Sequence, residues 1–343
     1  LTISYTGIDN LGAFTISSEG DYTVLTDTNG GVIKYKNIES LTVGDYTYTE
    51  DTSANTYWNS TERVLYLYGG GNVSTSHSAF SAMWTTTVNL TIVGSPSADT
   101  INLNLSRSPG VAGDPVIGGL FTLRMGAGND TLNSAKLYNG DSVDMGAGDD
   151  EVSFMTGPLL SLTLLDGGAG TDTLKFEEGG SNTNELTLTT NNATNFENII
   201  GSAGAETIKG DANANTLSGK RGADTLYGYA GNDTLYADQD SSSSDESDSN
   251  TLYGGAGDDT LVGANGEDTL DGGTGTDTLT GGSGADTFVI RSGDGSTTLA
   301  DANVITDFAD GTDVIGLDNG LAFDDLTIAQ GTGDYPSHTH LKN

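Results

Sequence analysis

Aspartate recurs at one fixed place in a glycine-rich repeat, and this spacing is the feature of the sequence with the clearest chemistry. The repeats begin at Gly201, Gly210, Gly219 and Gly228, and again at Gly254, Gly263, Gly272 and Gly281, and each approximates G-G-x-G-x-D-T-L-x. Calcium prefers roughly six to eight oxygen ligands from carboxylates and backbone carbonyls. Glycines permit tight turns that direct carbonyls inward, and the aspartate adds a charged ligand. The pattern therefore predicts several Ca²⁺ ions, bound between repeats.

The residues after each aspartate predict the elements that position it. Thr-Leu-x supplies a three-residue strand whose apolar residue points into a narrow core, and two nine-residue units make one coil of 18 residues. Stacked coils form parallel sheets at a strand spacing of about 4.8 Å. The predicted fold class is all-β, a right-handed parallel β-roll or β-solenoid with calcium between its turns. The expected core residues are Leu132, Leu226, Leu235, Leu261, Leu270, Leu279 and Phe288.

Looser versions of the repeat precede the regular ones. Gly94–Ile101 is degenerate, and Met125–Leu132, Met145–Val152 and Gly167–Leu174 begin 20 and then 22 residues apart. We predict wide coils of the same solenoid over 93–200 and a nonapeptide β-roll over 201–290. Within the roll, 17 residues separate two repeats, so an acidic, serine-rich insertion of eight residues near 238–250 is expected to loop out into solvent.

The two ends of the chain differ from the repeats. Residues 1–92 alternate apolar and polar residues between Gly and Asn clusters, which is typical of short strands. Asn37–Leu41 echoes Asn195–Ile199, so we expect a β-rich, solenoid-like N-terminal region. Residues 291–343 are expected to form a C-terminal cap and tail, because an open stack exposes a sheet edge. No clear strand pattern is present over 332–343.

Composition excludes several classes of partner. The chain has 12 Lys and Arg against 48 Asp and Glu, a formal charge of −36, and no cysteine. Such a chain repels nucleic acid and anionic lipid, and its natural counter-ions are cations. No stretch approaches the roughly 20 apolar residues that span a membrane. Because the chain has no disulfides, bound metal ions are the obvious means of stabilising an extracellular fold.

The sequence does not indicate an enzyme. It has no H-E-x-x-H zinc motif, no G-x-S-x-G nucleophile elbow and no cysteine nucleophile. His77 is remote from His338 and His340, which lie near the end of the chain. The many carboxylates are explained as calcium ligands, and we predict that the chain is not catalytic.

The repeats resemble those of the RTX (repeats-in-toxin) family over about residues 94–290, and most closely from 201. The resemblance implies a calcium-binding β-roll of type I-secreted bacterial proteins, located outside the cell or on its surface. In that family one turn contributes the carbonyls of positions two and four and its Asp, and the turn one coil later contributes positions one and three and its own Asp. The segments Val304–Phe308 and Gly311–Ile315 resemble the family's capping segment.

Transferred to this chain, the family scheme implies three well-defined ligand sets. They are Gly255, Gly257 and Asp259 with Gly272, Thr274 and Asp277; Ala264, Gly266 and Asp268 with Gly281, Ser283 and Asp286; and Tyr229, Gly231 and Asp233 with Gly254, Ala256 and Asp259. The remaining predicted metal-site residues are Asp99, Gly126, Gly128, Asp130, Asp150, Asp172, Glu206, Asp224, Gly263, Asn265, Asp307 and Asp313. Asn215 lacks the charge of Asp, so its site is expected to be weak or empty.

Three classes of function are compatible with this interpretation. We favour a structural or adhesive surface protein, an S-layer, filament or adhesin module that folds and assembles on binding calcium, with copies of itself or cell-surface polysaccharide as partners. The alternative is the C-terminal export and folding domain of a larger secreted enzyme, such as a protease or lipase. An ice-binding face is disfavoured, because positions three and five of the last four repeats form no regular ladder.

Overall fold

The structure is a computed structural model, and it describes a defined part of the chain. The described residues are 2–3, 14–19, 22–27, 32–35, 40–43, 46–51, 56–59, 64–67, 72–74, 90–102, 120–135, 137, 140–154, 163–176, 185–187, 193–238, 248–294, 302–318, 320–325, 327–330 and 339–342. They are almost entirely β-strand and turn, with a single 3₁₀ turn at Phe323–Asp325 in this part of the chain. The predicted fold class is confirmed: the chain contains a parallel β-solenoid of about six turns.

The strands are short, as the repeat predicts. The first seventeen are β1 Thr2–Ile3, β2 Phe14–Glu19, β3 Tyr22–Asp27, β4 Val32–Tyr35, β5 Ser40–Val43, β6 Tyr46–Asp51, β7 Thr56–Asn59, β8 Val64–Leu67, β9 Asn72–Ser74, β10 Leu90–Val93, β11 Thr100–Asn102, β12 Phe121–Arg124, β13 Thr131–Ala135, β14 Ser142–Asp144, β15 Glu151–Phe154, β16 Leu164–Asp166 and β17 Thr173–Phe176. The others are β18 Glu185–Thr187, β19 Ala193–Thr194, β20 Asn198–Ile200, β21 Thr207–Lys209, β22 Thr216–Ser218, β23 Thr225–Ala230, β24 Thr234–Tyr236, β25 Thr251–Ala256, β26 Thr260–Val262, β27 Thr269–Thr274, β28 Thr278–Thr280, β29 Thr287–Arg291, β30 Val304–Ile305, β31 Val314–Asp318, β32 Thr327–Gln330 and β33 Thr339–Lys342.

The described residues form two compact units. Unit 1 holds those up to 154 together with 163–176 and 193–196, and unit 2 holds 185–187 and those from 197 onward. The domain boundaries at 92, 200 and 290 that the sequence suggested stay a prediction.

Over residues 1–92, unit 1 contains both antiparallel and parallel strand pairs. β2, β3 and β4 form one antiparallel sheet, and β5 to β8 pair antiparallel in sequence order. Two to four residues connect consecutive strands within each of these sets. Connections this short form hairpins, whereas a parallel crossover needs a much longer connection. In the same region β1 pairs parallel with β5, and β8 and β9 belong to parallel ladders. The solenoid-like region suggested by the echo between Asn37–Leu41 and Asn195–Ile199 therefore stays a prediction.

Parallel coils begin later in unit 1 and have the predicted wide spacing. β8, β10, β12, β14, β16 and β19 form one parallel ladder, and β9, β11, β13, β15 and β17 form another. Thr131 pairs with Glu151, and Glu151 with Thr173, so these coils have the 20- and 22-residue lengths of the sequence repeats.

Unit 2 is the regular β-roll. One parallel ladder runs through β20, β22, β24, β26, β28 and β30, and the other through β18, β21, β23, β25, β27, β29 and β31. Thr251 pairs with Thr269 at the predicted 18-residue offset. Thr225 pairs with Thr251 across 26 residues, so the eight extra residues leave the ladder in register. The middle of this insertion, 239–247, lies outside the described residues.

The core is the predicted row of apolar residues. All seven expected core residues are at most 3% exposed. Because a coil of the regular roll buries few large side chains, such as Leu252 and Leu261, the fold depends on contacts between neighbouring coils. At the C-terminus, β32 and β33 pair antiparallel, a hairpin that the sequence pattern over 332–343 did not indicate.

Candidate metal centre

The turns between strands lie above one another in columns, and each turn has an acidic or amide residue at the equivalent position, its last before the next strand. Column 1, in unit 1, joins the ladder of β10 to the ladder of β11. Column 2 joins the ladder of β20 to that of β21 in unit 2, and column 3 makes the return connection. In order of coil, column 1 contains Asp99, Asp130, Asp150 and Asp172; column 2 contains Glu206, Asp224, Asn250, Asp268, Asp286 and Asp313; and column 3 contains Asn215, Asp233, Asp259, Asp277 and Asn303.

A hydrogen bond connects each column residue to the next. The backbone N–H of one residue donates to the side-chain Oδ1 of the residue one coil later, over 2.7–3.1 Å. At Asp259, for example, Oδ1 accepts from the N–H of Asp233, and the N–H of Asp259 donates to Asp277. This arrangement holds one oxygen of each carboxylate and directs the other towards its own turn.

The second oxygen, Oδ2, is buried in the interior of the columns and accepts no hydrogen bond. This holds for Asp130, Asp150, Asp224, Asp233, Asp259, Asp268, Asp277 and Asp286. In the regular repeats Oδ2 lies against the first glycine of its own turn: a Cβ on Gly254 would be within 3.0 Å of Asp259 Oδ2. Buried polar atoms in folded proteins almost always have a partner. A cation between the turns would supply one, so the residues present fit a bound metal ion.

Backbone carbonyls converge on the same space from both neighbouring turns. A Cβ on Gly273 would be within 3.0 Å of the Gly255 carbonyl, and a Cβ on Gly254 would be similarly close to the Gly272 carbonyl. The Thr274 carbonyl accepts the N–H of Gly257 at 2.9 Å. Positions two and four thus face the later coil and positions one and three face the earlier coil, which is the orientation that the six-residue ligand sets need.

The other two predicted sets have the same arrangement. The carbonyls of Tyr229 and Gly231 face the turn that starts at Gly254, and the Ala256 carbonyl accepts the N–H of Gly231 at 2.9 Å. The remaining set places Ala264 and Gly266 against Gly281 and Ser283, with Gly266 donating to the Ser283 carbonyl at 2.8 Å. In column 1, Gly126 and Gly128 face the next turn in the same way. The structure therefore brings these predicted residues together, and their binding of calcium stays a prediction.

The ends of the columns differ from the interior because protein donors satisfy their side chains. Asp99 accepts from the N–H and hydroxyl of Ser95 at 2.6 and 3.0 Å, and Glu206 accepts from the N–H and hydroxyl of Ser202. Asp313 Oδ2 accepts the N–H of Ala309 at 2.7 Å. These three predicted ligands have less need of a cation than the interior aspartates.

Other predicted residues lie at the margins of the columns. Asp307 accepts the N–H groups of Gly281 and Gly282 at 2.9 and 2.7 Å, and so caps the last regular turn. Asp172 is the last aspartate of column 1, and its Oδ1 accepts from Asp150. Gly263 and Asn265 belong to the turn one coil after the insertion. Within the described residues no three acidic or histidine side chains form a metal-holding group, so the oxygen set depends on the carbonyls.

The sequence analysis missed Asn250 as a member of column 2. Its Oδ1 accepts from Asp224, its N–H donates to Asp268, and its Nδ2 donates to the Asp248 carbonyl at 3.1 Å. The signal was present, because Asn250 precedes Thr-Leu-Tyr as each aspartate precedes Thr-Leu. The amide of Asn250 thus places an uncharged side chain between Asp224 and Asp268 in column 2. Asn303 ends column 3 in the same way.

Burial raises the pKa of the interior aspartates, while the hydrogen bond from the preceding coil lowers it. The pKa reaches about 8 at Asp130 and Asp224, about 7 at Asp259 and Asp268, and about 6 at Asp150 and Asp233. Burial also raises the pKa of Asp277 and Asp286. In the absence of a cation, the folded columns therefore hold protons that an unfolded chain releases near pH 4.

We expect acid to promote folding of the calcium-free protein. A folded-state pKa above the unfolded value favours folding at low pH, and this contribution is lost as pH rises through about 6 to 8. Lowering pH from 8 to 5 should therefore increase the β-sheet signal in circular dichroism and reduce the hydrodynamic radius of resin-stripped protein. In saturating calcium, protons compete with the metal ion and the trend should reverse. Acid unfolding of the calcium-free chain over this range would contradict the expectation.

Stacked coils with glycine turns and a buried aspartate in most turns define a parallel β-roll of the calcium-binding class. The family model of the RTX calcium-binding nonapeptide repeat (four copies) matches residues 200–235, 209–242, 245–279, 253–288 and 262–296. The RTX repeats thus lie within residues 200–296, and the resemblance stated from sequence is confirmed there. Among curated proteins, no sequence matches the chain.

No helix within the described part of the chain has the length and apolarity to cross a membrane.

Proposed function

We propose that this chain is a calcium-folded structural or adhesive module of a bacterial cell surface, of the S-layer, filament or adhesin type, exported by type I secretion. The observation that carries the proposal is the set of eight buried carboxylate oxygens that accept no hydrogen bond. RTX repeat proteins are typically secreted bacterial proteins. Export into calcium-rich surroundings would supply the cation that these oxygens need.

The chain's own residues explain how location would control folding. Calcium, when bound between two turns, would supply positive charge and would be coordinated by oxygens of both turns. Without it, aspartates one coil apart repel each other, and burial opposes their ionisation. The glycines also lose much conformational entropy when they are ordered. Extracellular modules bind calcium at about 10⁻⁴–10⁻³ M, so millimolar calcium outside the cell would fold the repeats.

The proposed role is not enzymatic, and it has two kinds of partner. The sequence lacks the nucleophile and zinc motifs of secreted hydrolases, and the column carboxylates have a sufficient role as ligands. The charge of −36 disfavours nucleic acid and anionic membranes. Copies of the same chain or a cell-surface polysaccharide are the partners that an S-layer or adhesin role requires.

Size-exclusion chromatography with light scattering tests this function. In chelator, we expect the repeats to give an expanded monomer, and in millimolar calcium a compact particle that assembles into regular oligomers. Compaction to a stable monomer would contradict the assembly role and favour an adhesin segment or the export and folding domain of a larger secreted enzyme. An unchanged elution volume would contradict the calcium-folding function itself.

A further inference from the structure

A row of tyrosines lies on the outer face of the roll beside column 3. Strands β23, β25 and β27 place Tyr227, Tyr253 and Asp271 in register, and the same strands align Tyr229 with Gly255 and Gly273. The rings of Tyr227 and Tyr253 stack with centroids 4.8 Å apart and planes 9° from parallel. Tyr229 stacks on Tyr227 at 5.9 Å, which makes a three-ring stack.

The aromatic stack ends at a cavity. The ring of Tyr253 has Tyr227 against one face. On its other side, the paired position on β27 carries the smaller side chain of Asp271. Gly255 and Gly273 occupy the positions aligned with Tyr229 and leave the floor without side chains. The cavity has a volume of about 330 Å³. Small-molecule sites are roughly 300–1,000 Å³, so this cavity is large enough for a small ligand.

Charged groups line the same cavity as Tyr253. The guanidinium of Arg291 pairs with Asp271 and donates from Nε to Asp318 at 3.1 Å. Asp294 accepts the backbone N–H of Arg291 at 2.7 Å and is 7% exposed. Asp271, Arg291 and Asp294 all line the cavity. The lining thus combines carboxylate acceptors with a planar donor, and the ion pairs of Arg291 join neighbouring coils.

An unusual backbone conformation supports a binding role for the stack. Tyr229 has a φ of 78°, in the left-handed region, at a turn position that is glycine in the next two turns of column 3, Gly255 and Gly273. Lys220 and Ala264 share this conformation at equivalent positions, so the turn tolerates it. A bulky residue there nevertheless costs stability relative to glycine. Tyr229 is 49% exposed, and its ring stacks on that of Tyr227.

From this geometry we infer a binding site for a neutral pyranose unit of a polysaccharide in the cavity between Tyr253 and Arg291. An aromatic ring packs against the C–H face of a sugar, and carboxylates and a guanidinium form hydrogen bonds with its hydroxyls. Asp271 and Asp294 line the cavity, and Asp318 pairs with Arg291 beside it. Because these three carboxylates face one guanidinium, the site disfavours an anionic sugar. The inference rests on the proposed adhesive function and locates its ligand site, because the calcium columns hold the strands that form the cavity.

Saturation-transfer NMR and calorimetry on the full chain in millimolar calcium test the site. The probes are cellopentaose, maltopentaose, mannopentaose and galactotetraose, with oligogalacturonate as the anionic comparison. At least one neutral oligosaccharide should bind saturably, and oligogalacturonate should bind more weakly. Tyr253→Ala should weaken binding by about tenfold, which corresponds to about 1.4 kcal/mol. Ser292→Trp, at an exposed residue lining the cavity, should block binding without altering the ion pairs.

Tyr236→Ala is the matched control, because Tyr236 lies at the same repeat position on the other ladder. It should leave oligosaccharide binding unchanged. Circular dichroism in calcium separates the two proposals: a chain that folds with calcium but binds none of the neutral probes overturns the sugar site alone. Equal binding by wild type, Tyr253→Ala and Ser292→Trp also overturns it. A chain whose fold does not respond to calcium contradicts the proposed function instead.

Discussion

Asp259→Asn should stabilise the repeat region in chelator and destabilise it in calcium. Asp259 is in the middle of column 3, its pKa is raised to about 7 by burial, and its Oδ2 accepts no hydrogen bond. A neutral amide removes the cost of burying that charge at pH 8 and retains Oδ1 for the N–H of Asp233. With calcium present, two of the predicted ligand sets each lose a charged oxygen.

Calorimetry and urea denaturation, each in chelator and in calcium, measure both effects. We expect weaker calcium binding at two sites, by roughly tenfold or more at each, because ligand charge sets affinity in calcium modules. Asp258→Asn is the matched control: the neighbouring side chain is exposed, carries the same charge, and bonds to Thr276 N–H through Oδ1 at 2.8 Å. Equal effects of the two substitutions would show that net charge, not the column position, controls folding.

The period of the repeat was sufficient to predict unit 2 in detail. Leu226, Leu261 and Leu279 are buried where the nine-residue pattern placed them, because a parallel ladder repeats its register at every coil. The insertion could be excluded from the coil for the same reason, since Thr-Leu resumes at Thr251. A strict period constrains every rung, so a few residues in each repeat determine the fold.

Alternation of apolar and polar residues was not sufficient for the N-terminal strands. Strands such as Phe14–Glu19 and Tyr46–Asp51 alternate in the same manner whether their partners run parallel or antiparallel. The short connections were the better signal, because a chain that reverses within two to four residues forms a hairpin. The same region also contains β8 and β9, which belong to the parallel ladders, so alternation alone does not distinguish the two arrangements.

The roles of individual column residues could be predicted only in part. The spacing identified Asp99, Glu206 and Asp313 as ligands, but each accepts a hydrogen bond from its own turn. Ser95 and Ser202 occupy the second position of their turns, where other turns of columns 1 and 2 have Gly126, Gly146 and Gly282. Their hydroxyls bring donors that glycine lacks. The need for a cation thus depends on the neighbouring side chain as well as on the carboxylate.

The saccharide cavity could not be predicted from the sequence, because Tyr229, Gly255 and Gly273 become neighbours only through the register across the insertion.

Column 2 and column 3 differ in one respect that matters for assembly of the roll. Column 3 has three consecutive aspartates, at 233, 259 and 277, whereas Asn250 separates Asp224 from Asp268 in column 2. Its amide is satisfied on both sides, since Oδ1 accepts from Asp224 and Nδ2 donates to the Asp248 carbonyl. The coil that carries the insertion can therefore form on the column 2 side without contributing a carboxylate to that column.

Asn250→Asp should have the opposite effects to Asp259→Asn. The new carboxylate would lie between Asp224 and Asp268, whose pKa values burial already raises to about 8 and about 7. In chelator at pH 8 the variant should unfold at lower urea concentration than wild type, because all six column 2 residues would then be buried acids. In calcium it should bind at least one additional ion by calorimetry, because two pairs of adjacent turns gain a charged oxygen.

Asn232→Asp is the control for this change. Asn232 is exposed and accepts the N–H of Asp258 through Oδ1 at 3.0 Å, so it offers the same amide-to-acid substitution outside the columns. It should leave the number of bound ions unchanged. If Asn250→Asp also adds no ion, the columns do not bind calcium through their aspartates. If the two interior variants shift stability in opposite directions with calcium while both exposed variants do not, then charge at the column positions is what couples folding to calcium.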